Sequence, residues 1–450
     1  MHRRLFLQNI SLAGAGVALG TLAMPARSFA RVAGANDRLR IGLIGFADRA
    51  RDALIPALEY HSARCNVELV AVSDLWSKRR QEAEEFFQKK YGRKISVYRN
   101  NDEMYEQAKL DAVIVATPDF QHASHCVEAV GAGCDAYVEK PFAETMADAR
   151  AALKAVRSSK RIVQVGSQRR SGANYQAAHD HIRSGKFGDI VNVEMQWNVN
   201  QPGRWRRPAL VAGLRESDTD WKRFAAARPF EAWDARKYLE YRLFWPYSSG
   251  IPGQWMSHQI DTIHWFTGLP HPRSVSANGG IYQWRDGRSN FDTLTAVFDY
   301  GPLETKAKGF QVVYSSRFSN SAGGVKEVYF SNGGELNLDT NEVTPNGGLQ
   351  PGHARAMGLP ANLLPATSLV SSSAAAVTDA NTGADPMTLA HMGNWLDCLR
   401  SRREPNAPVE AGYQHSIACI MANAAARTGE RVTFDATRQE VMAGGKVFQF

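Results

Sequence analysis

Between Leu39 and Pro141 the chain repeats one unit: a short apolar run, a turn, and a segment with helical spacing. "LRIGLIG" leads into "DRARDALIPALEY", where Ala53, Leu54, Ala57 and Leu58 recur at helical spacing. "VELVAVSD", "ISVYRN", "LDAVIVATP" and "CDAYVEKP" follow, separated by a charged segment and by "QHASHCVEAVGAG". Continuous apolar runs suit strands buried on both faces, and this strand and helix order predicts a doubly wound parallel sheet. Ligands of such sheets sit at the carboxyl ends of the strands. The residues there are Gly45 to Arg51, Asp74, Thr117 to Asp119 and Glu139 to Pro141.

The stretch "IGLIGFADRAR" has the form of a nucleotide-binding turn in which alanine stands at two of three glycine positions. The first glycine of such a turn bends the chain, the second admits a pyrophosphate, and the third lets helix pack on strand. Here they are Gly45, Ala47 and Ala50. An added methyl is costly only where φ must be positive. A helix start still offers free N–H groups to phosphate, and Arg49 or Arg51 adds charge. Asp74 closes the second strand, where a carboxylate accepts from an adenosine ribose, 29 residues past Gly45 against a usual spacing of about 20. An acid there favours NAD over NADP, a preference that the nearby Lys78, Arg79 and Arg80 weaken.

Residues 1–30 read as a twin-arginine export signal, with Arg3 and Arg4 ahead of a mildly apolar Gly/Ala-rich run and a small-residue site ending at Ala30. The run is shorter and poorer in large hydrophobes than a membrane span requires. Its removal takes away Arg3, Arg4 and Arg27 and no acid, lowering the formal charge from +8 to +5. So small a surplus, without a run of like charges, excludes a nucleic-acid footprint. The five cysteines are odd in number and lack metal or redox spacing, so they read as small buried hydrophobes, with one disulfide pair left open by an oxidising compartment. With 44% apolar residues the length supports two domains after the signal, 31–160 and 161–450.

"VIVATPDFQH", "YVEKPFAET" and "QVGSQRR", followed by "GKFGDIVNVEMQW", "PGRWRRP" and "GQWMSHQIDTIHWFTG", resemble the Gfo/Idh/MocA oxidoreductase family, from about Arg38 to Asp435. The resemblance implies an N-terminal Rossmann domain and a C-terminal α/β domain whose open, mainly antiparallel sheet carries the substrate site and subunit contacts of a homo-oligomer. It also implies an NAD or NADP cofactor held by Gly45, Phe46, Ala47, Arg49 and Asp74. Thr117, Pro118, His122, Glu139, Lys140 and Gln168 complete that set. Members commonly carry glycine where Ala47 and Ala50 stand, and Asp48 is a further departure.

The chemistry centres on Lys140. A lysine at a strand end beside the nicotinamide position is partly desolvated, which draws its pKa toward neutrality and fits it to pass a proton while hydride moves. The resemblance gives this role to the Glu-Lys-Pro lysine, with Pro141 in a cis peptide. His258 is the second acid/base candidate, with Asp261 behind it as partner; a buried structural His258 remains the alternative. Many relatives place an aspartate four residues before this histidine, where Gln254 stands here. Restoring that acid, Gln254→Asp, is expected to be tolerated. His264 reads as structural, and His125 as a surface residue.

For substrate, Gln201 to Pro208 and Ala235 to Tyr247 supply Arg204, Trp205, Arg206, Tyr238, Tyr241, Arg242 and Trp245. Aromatic faces rimmed by arginines and amides suit sugar rings and serve equally as domain core or loop anchors; the resemblance adds a carbohydrate or polyol substrate, with Arg204, Trp205, Tyr241, Gln254 and His258 the substrate set. No metal is expected, because His258, Asp261 and His264 do not share one tight face. Two rival functions are a redox-neutral glycoside lyase or hydrolase with transient NAD reduction, and a non-catalytic sugar-binding protein. Pro351 to Pro386 reads as a long loop, and "MTLAHMGNWLDCLRS" and "QHSIACIMANAAARTG" as closing helices ended by Gly429.

Overall fold

The computed structural model describes residues 37–449 except 202, 226–227, 230, 303–308 and 371–382; residues 1–30, expected to be an export signal, lie outside the described residues. The apolar runs become β1 (Leu39–Ile44), β2 (Val67–Ser73), β3 (Ser96–Tyr98), β4 (Ala112–Val115), β5 (Asp135–Val138) and β6 (Val163–Val165). They pair in parallel in the order β3-β2-β1-β4-β5-β6. Every residue of β4 and β5 is buried, as central strands covered on both faces require. The order reverses beside β1, which opens the ligand crevice of a doubly wound sheet between the ends of β1 and β4.

The helices of this layer are α1 (Ile55–Cys65), α2 (Ser77–Tyr91), α3 (Asn101–Ala108), α4 (His122–Gly131) and α5 (Met146–Ser159). A wide π-type turn over Ala50–Leu54 feeds α1. The "KRRQEAEEFFQKK" run forms α2, which stops at Gly92 with φ +64°. The sixth strand lies past residue 160, and a helix from far down the chain, Pro386–Ser401, returns to pack on α1. His61 Nε2 contacts the Leu389 carbonyl at 2.8 Å, and Arg64 pairs with Asp397 at 2.7 Å.

The second sheet has eleven strands and is mainly antiparallel. Next to its middle strand, Phe310–Arg317, lies β7 (Ile190–Asn198), parallel to that strand and antiparallel to Val325–Ser331. Strands Thr293–Tyr300 and Phe310–Arg317 alternate buried and less buried residues, the mark of a sheet with one covered face. That face is covered by α6 (Ala173–Arg183), α7 (Ser257–Thr267) and the long helix Val409–Thr428, which Gly429 ends at φ +74°. The expected loop from Pro351 contains a short helix, Pro351–Ala356, and a short edge strand, Thr367–Ser368. All five cysteines are free and buried, so the open disulfide option is not taken. No helix among the described residues is long and apolar enough to cross a membrane.

Candidate active site

A cavity of about 1060 Å³ runs along the carboxyl ends of the parallel strands and against the end of β7 at Trp197. One end is built by the β1 turn. Gly45 has φ +90°, and a Cβ there would meet the Ala116 carbonyl oxygen at 2.9 Å, so both its backbone angle and its packing require glycine. Ala47 and Ala50 lack positive φ, which is why alanine is tolerated at both. Ala47 lines the cavity, and the first helical turn presents amides without intrahelical partners, a fit to a pyrophosphate. Asp48 points to the rim, where it pairs with Arg207 at 2.9 Å.

Asp74 lines the same end. Its Oδ2 accepts from Phe46 N at 2.8 Å and its Oδ1 from Trp76 N at 2.9 Å, which fixes the carboxylate while leaving lone pairs for ribose hydroxyls. Phe46 itself is not a cavity residue. Its amide is taken by Asp74, and its side chain is buried against Phe86, so the expected cofactor contact is corrected to a packing role.

The other end gathers the β5 residues. Lys140 follows Glu139 and precedes a cis Pro141. Burial draws the Lys140 ammonium down to about 8, with Glu139 and Asp119 acting in the opposite direction. Its Nζ donates to the Gln254 main-chain oxygen at 2.6 Å. Burial opposes ionisation of Glu139, but Arg49, at 2.8 Å, and Lys140 outweigh it and hold the carboxylate below its ordinary range. Gln168 Nε2 donates to Glu139 at 3.1 Å and to the Tyr137 hydroxyl at 2.9 Å. Arg49 and Gln168 thus reach the cavity mainly as the frame of Glu139. His122 contacts the carbonyl oxygens of Pro141 at 2.7 Å and Thr117 at 2.8 Å, tying the two strand-end loops together. His125, read as a surface residue, is half-buried in the cavity wall with Nδ1 3.1 Å from the Thr117 hydroxyl.

A π-type turn over Pro252–Met256 leads into α7 and directs Gln254, Trp255 and His258 to the cavity. His258 stacks on Trp197 at 5.8 Å. Burial, then the charges of Lys140 and Arg169, hold its pKa well below the ordinary value, so it is a neutral imidazole at pH 7. Trp255 packs on Phe318 at 4.5 Å and on Trp205 at 5.8 Å, an apolar wall for the C–H face of a ring. Trp205 sits at φ +66°, a strained setting for a bulky residue that the wall holds in place. Arg204 and Tyr241 line the cavity as expected. Arg206 and Trp245 do not: Arg206 pairs with Glu240 and Asp286, and Trp245 lies under Arg427.

Asp261 is the main correction. It is fully buried and accepts both arms of Arg170, at 2.8 and 2.9 Å, so its charge is paired in the core and not with His258. The acid that serves the site is Asp119, buried just beneath it. Its Oδ2 accepts from Ser248 Oγ at 2.6 Å and from the Gln254 side-chain amide. An acid at 254 would face Asp119, so the expected tolerance of Gln254→Asp is withdrawn. "ATPDFQH" carried the signal for Asp119, but its partners come from a segment some 130 residues away. His264 bonds the Tyr300 hydroxyl at 2.9 Å and is structural, and the described residues contain no cluster that could hold a metal.

Residues 39–167 match the Gfo/Idh/MocA family, described as an oxidoreductase family with an NAD-binding Rossmann fold. Inositol 2-dehydrogenase of Salmonella typhimurium is 27% identical over 175 residues, 38% of this chain and 50% of that protein. The rhizopine catabolism protein MocA of Rhizobium meliloti is 29% identical over 166 residues, 37% of this chain and 49% of its own. The chain therefore spans about half the length of the curated relatives it matches. Over the whole fold, the WlbA dehydrogenase of Bordetella pertussis, solved with NADH and UDP-GlcNAcA, superposes with a TM-score of 0.61 at 19% identity, covering 88% of this chain and 99% of that one. Levoglucosan dehydrogenase with NADH and levoglucosan gives 0.62 at 14% identity, covering 88% and 99%. The N-terminal domain is thus similar to the NAD-binding Rossmann domain of the Gfo/Idh/MocA oxidoreductases, and 88% of the chain shares the fold of solved dehydrogenases.

Proposed function

We propose that the protein is an NAD-dependent dehydrogenase of a sugar or polyol hydroxyl, carried out of the cytoplasm through the twin-arginine pathway by residues 1–30. The observation that carries the reading is one continuous cavity with a nucleotide-shaped turn at Gly45 and Asp74 at one end and Lys140, with its pKa drawn to about 8, at the other. NAD, when bound, supplies the hydride acceptor. Gly45, Ala47 and Asp74 hold its adenosine and phosphate side, and Thr117, Pro118 and Glu139 the nicotinamide side. Lys140 as free amine takes the proton of the reacting hydroxyl, and neutral His258 accepts a hydrogen bond from the same or the adjoining hydroxyl. The aromatic wall of Trp205 and Trp255 excludes water from the ring face.

Denaturing the purified protein and assaying the supernatant for nicotinamide nucleotide tests the cofactor. Absence of nucleotide, with no uptake of added NAD or NADP, rejects the reading. A panel of sugars, polyols and glycosides followed by both NADH absorbance and product release then separates net oxidation from a redox-neutral lyase or hydrolase and from mere binding. Replacing Arg3 and Arg4 by lysine and fractionating cells tests export, which predicts retention in the cytoplasm.

A further inference from the structure

The cations around the reacting end of the cavity differ in how their charge is used. Arg49 is paired with Glu139, Arg169 with the buried Glu327, and Arg207 with Asp48. Arg242 lines the cavity without such a partner: among the described residues no carboxylate forms an ion pair with it. Its Nε donates to the Gln254 side-chain oxygen at 2.8 Å, and its guanidinium lies 4.7 Å from the centroid of the Tyr241 ring. The carboxylates of Asp119, Asp48 and Glu139 act on it only through space, and the Gln254 amide stands between it and Asp119. The NH2 of that amide is held by Asp119, which turns its oxygen toward Arg242. The main-chain oxygen of Gln254 holds Lys140 Nζ, so one residue sets both cations.

A guanidinium fixed at Nε and by stacking keeps its two terminal nitrogens as a planar fork. A neutral hydroxyl engages one nitrogen of that fork, whereas one planar carboxylate fills both. We propose that the substrate is an acidic sugar whose carboxylate is held on the terminal nitrogens of Arg242 while the reacting hydroxyl faces Lys140 and His258. The choice of substrate rests on the dehydrogenase reading for its chemistry but not for its binding.

The test is calorimetric binding of matched pairs, D-glucuronate with D-glucose, D-galacturonate with D-galactose and D-gluconate with D-sorbitol, to the protein as purified and after loading with NAD. At least one acid is expected to bind tenfold or more tightly than its neutral partner. That margin should fall to threefold or less in Arg242→Gln and also in Arg242→Met. Thermal melts check that each variant is folded, and the bound nucleotide content should match that of the parent. Equal affinity within every pair, binding of no acid, or a margin that survives Arg242→Gln overturns the proposal. If the margin holds but no nucleotide binds, the dehydrogenase reading fails and the acid site stands.

Discussion

In the proposed reaction Lys140 and His258 act on one proton, and the lowered pKa of Lys140 sets the direction of the pH response. Oxidation of a hydroxyl needs Lys140 as free amine, so kcat/KM for oxidation should rise with pH through about 8 and then level, while reduction should fall over the same range. Lys140→Met should keep bound nucleotide and lose activity by about 10²-fold or more, His258→Ala a similar factor, and the double variant much less than their product. Steady-state rates from pH 6 to 10, with nucleotide quantified in each variant, check all of these; near-parental turnover in Lys140→Met rejects the assignment. Asp261 belongs to a different account. Asp261→Ala leaves the buried Arg170 without its bidentate partner, an expected loss of about 3 to 5 kcal/mol in chemical denaturation. Its misplacement in the sequence reading has a simple cause. Three positions along a helix from His258 suggest proximity, but only the Arg170 brought in by the 168–171 turn decides which way the carboxylate faces.

At the scale of elements, the β1 turn shows what local sequence can and cannot tell. The strands were legible because continuous apolar runs of this length admit little else, and Lys140 because it ends one of them. The turn was ambiguous because its glycine count does not report φ. Since only Gly45 is at positive φ, Gly45→Ala should destabilise the fold and strip the nucleotide, whereas Ala47→Gly should leave nucleotide affinity within about twofold. Nucleotide titration by fluorescence checks both, and a marked gain in Ala47→Gly would show that the methyl does intrude. Arg242 was visible as a residue but not as a site, since its commitment depends on Gln254 and Asp119 from two other segments.

For the whole molecule, the seam between the two layers carries a buried acid that the chemistry does not use. Glu144 lies against Ser249 and the Gly253 backbone, one of its oxygens has no partner, and burial with the nearby Asp119 pushes its pKa up to about 8. A folded-state pKa above the unfolded value means that its contribution is fully present below about pH 4.5 and is lost as pH rises through 8. Between those limits the parent should lose stability relative to Glu144→Gln as pH rises. Urea denaturation of both proteins at pH 5.5, 6.5 and 7.5 reads the difference, and parallel stabilities would show that Glu144 is ionised. The five cysteines are buried too, in the two main apolar clusters. Burial raises each thiol, Cys134 to about 11 and Cys126 to about 12, so hardly any thiolate exists at neutral pH for an oxidant or alkylating reagent to meet. Modification must then wait for the chain to open, which turns the rate of thiol labelling into a clock for unfolding and makes the native fold inert to the redox poise of its surroundings.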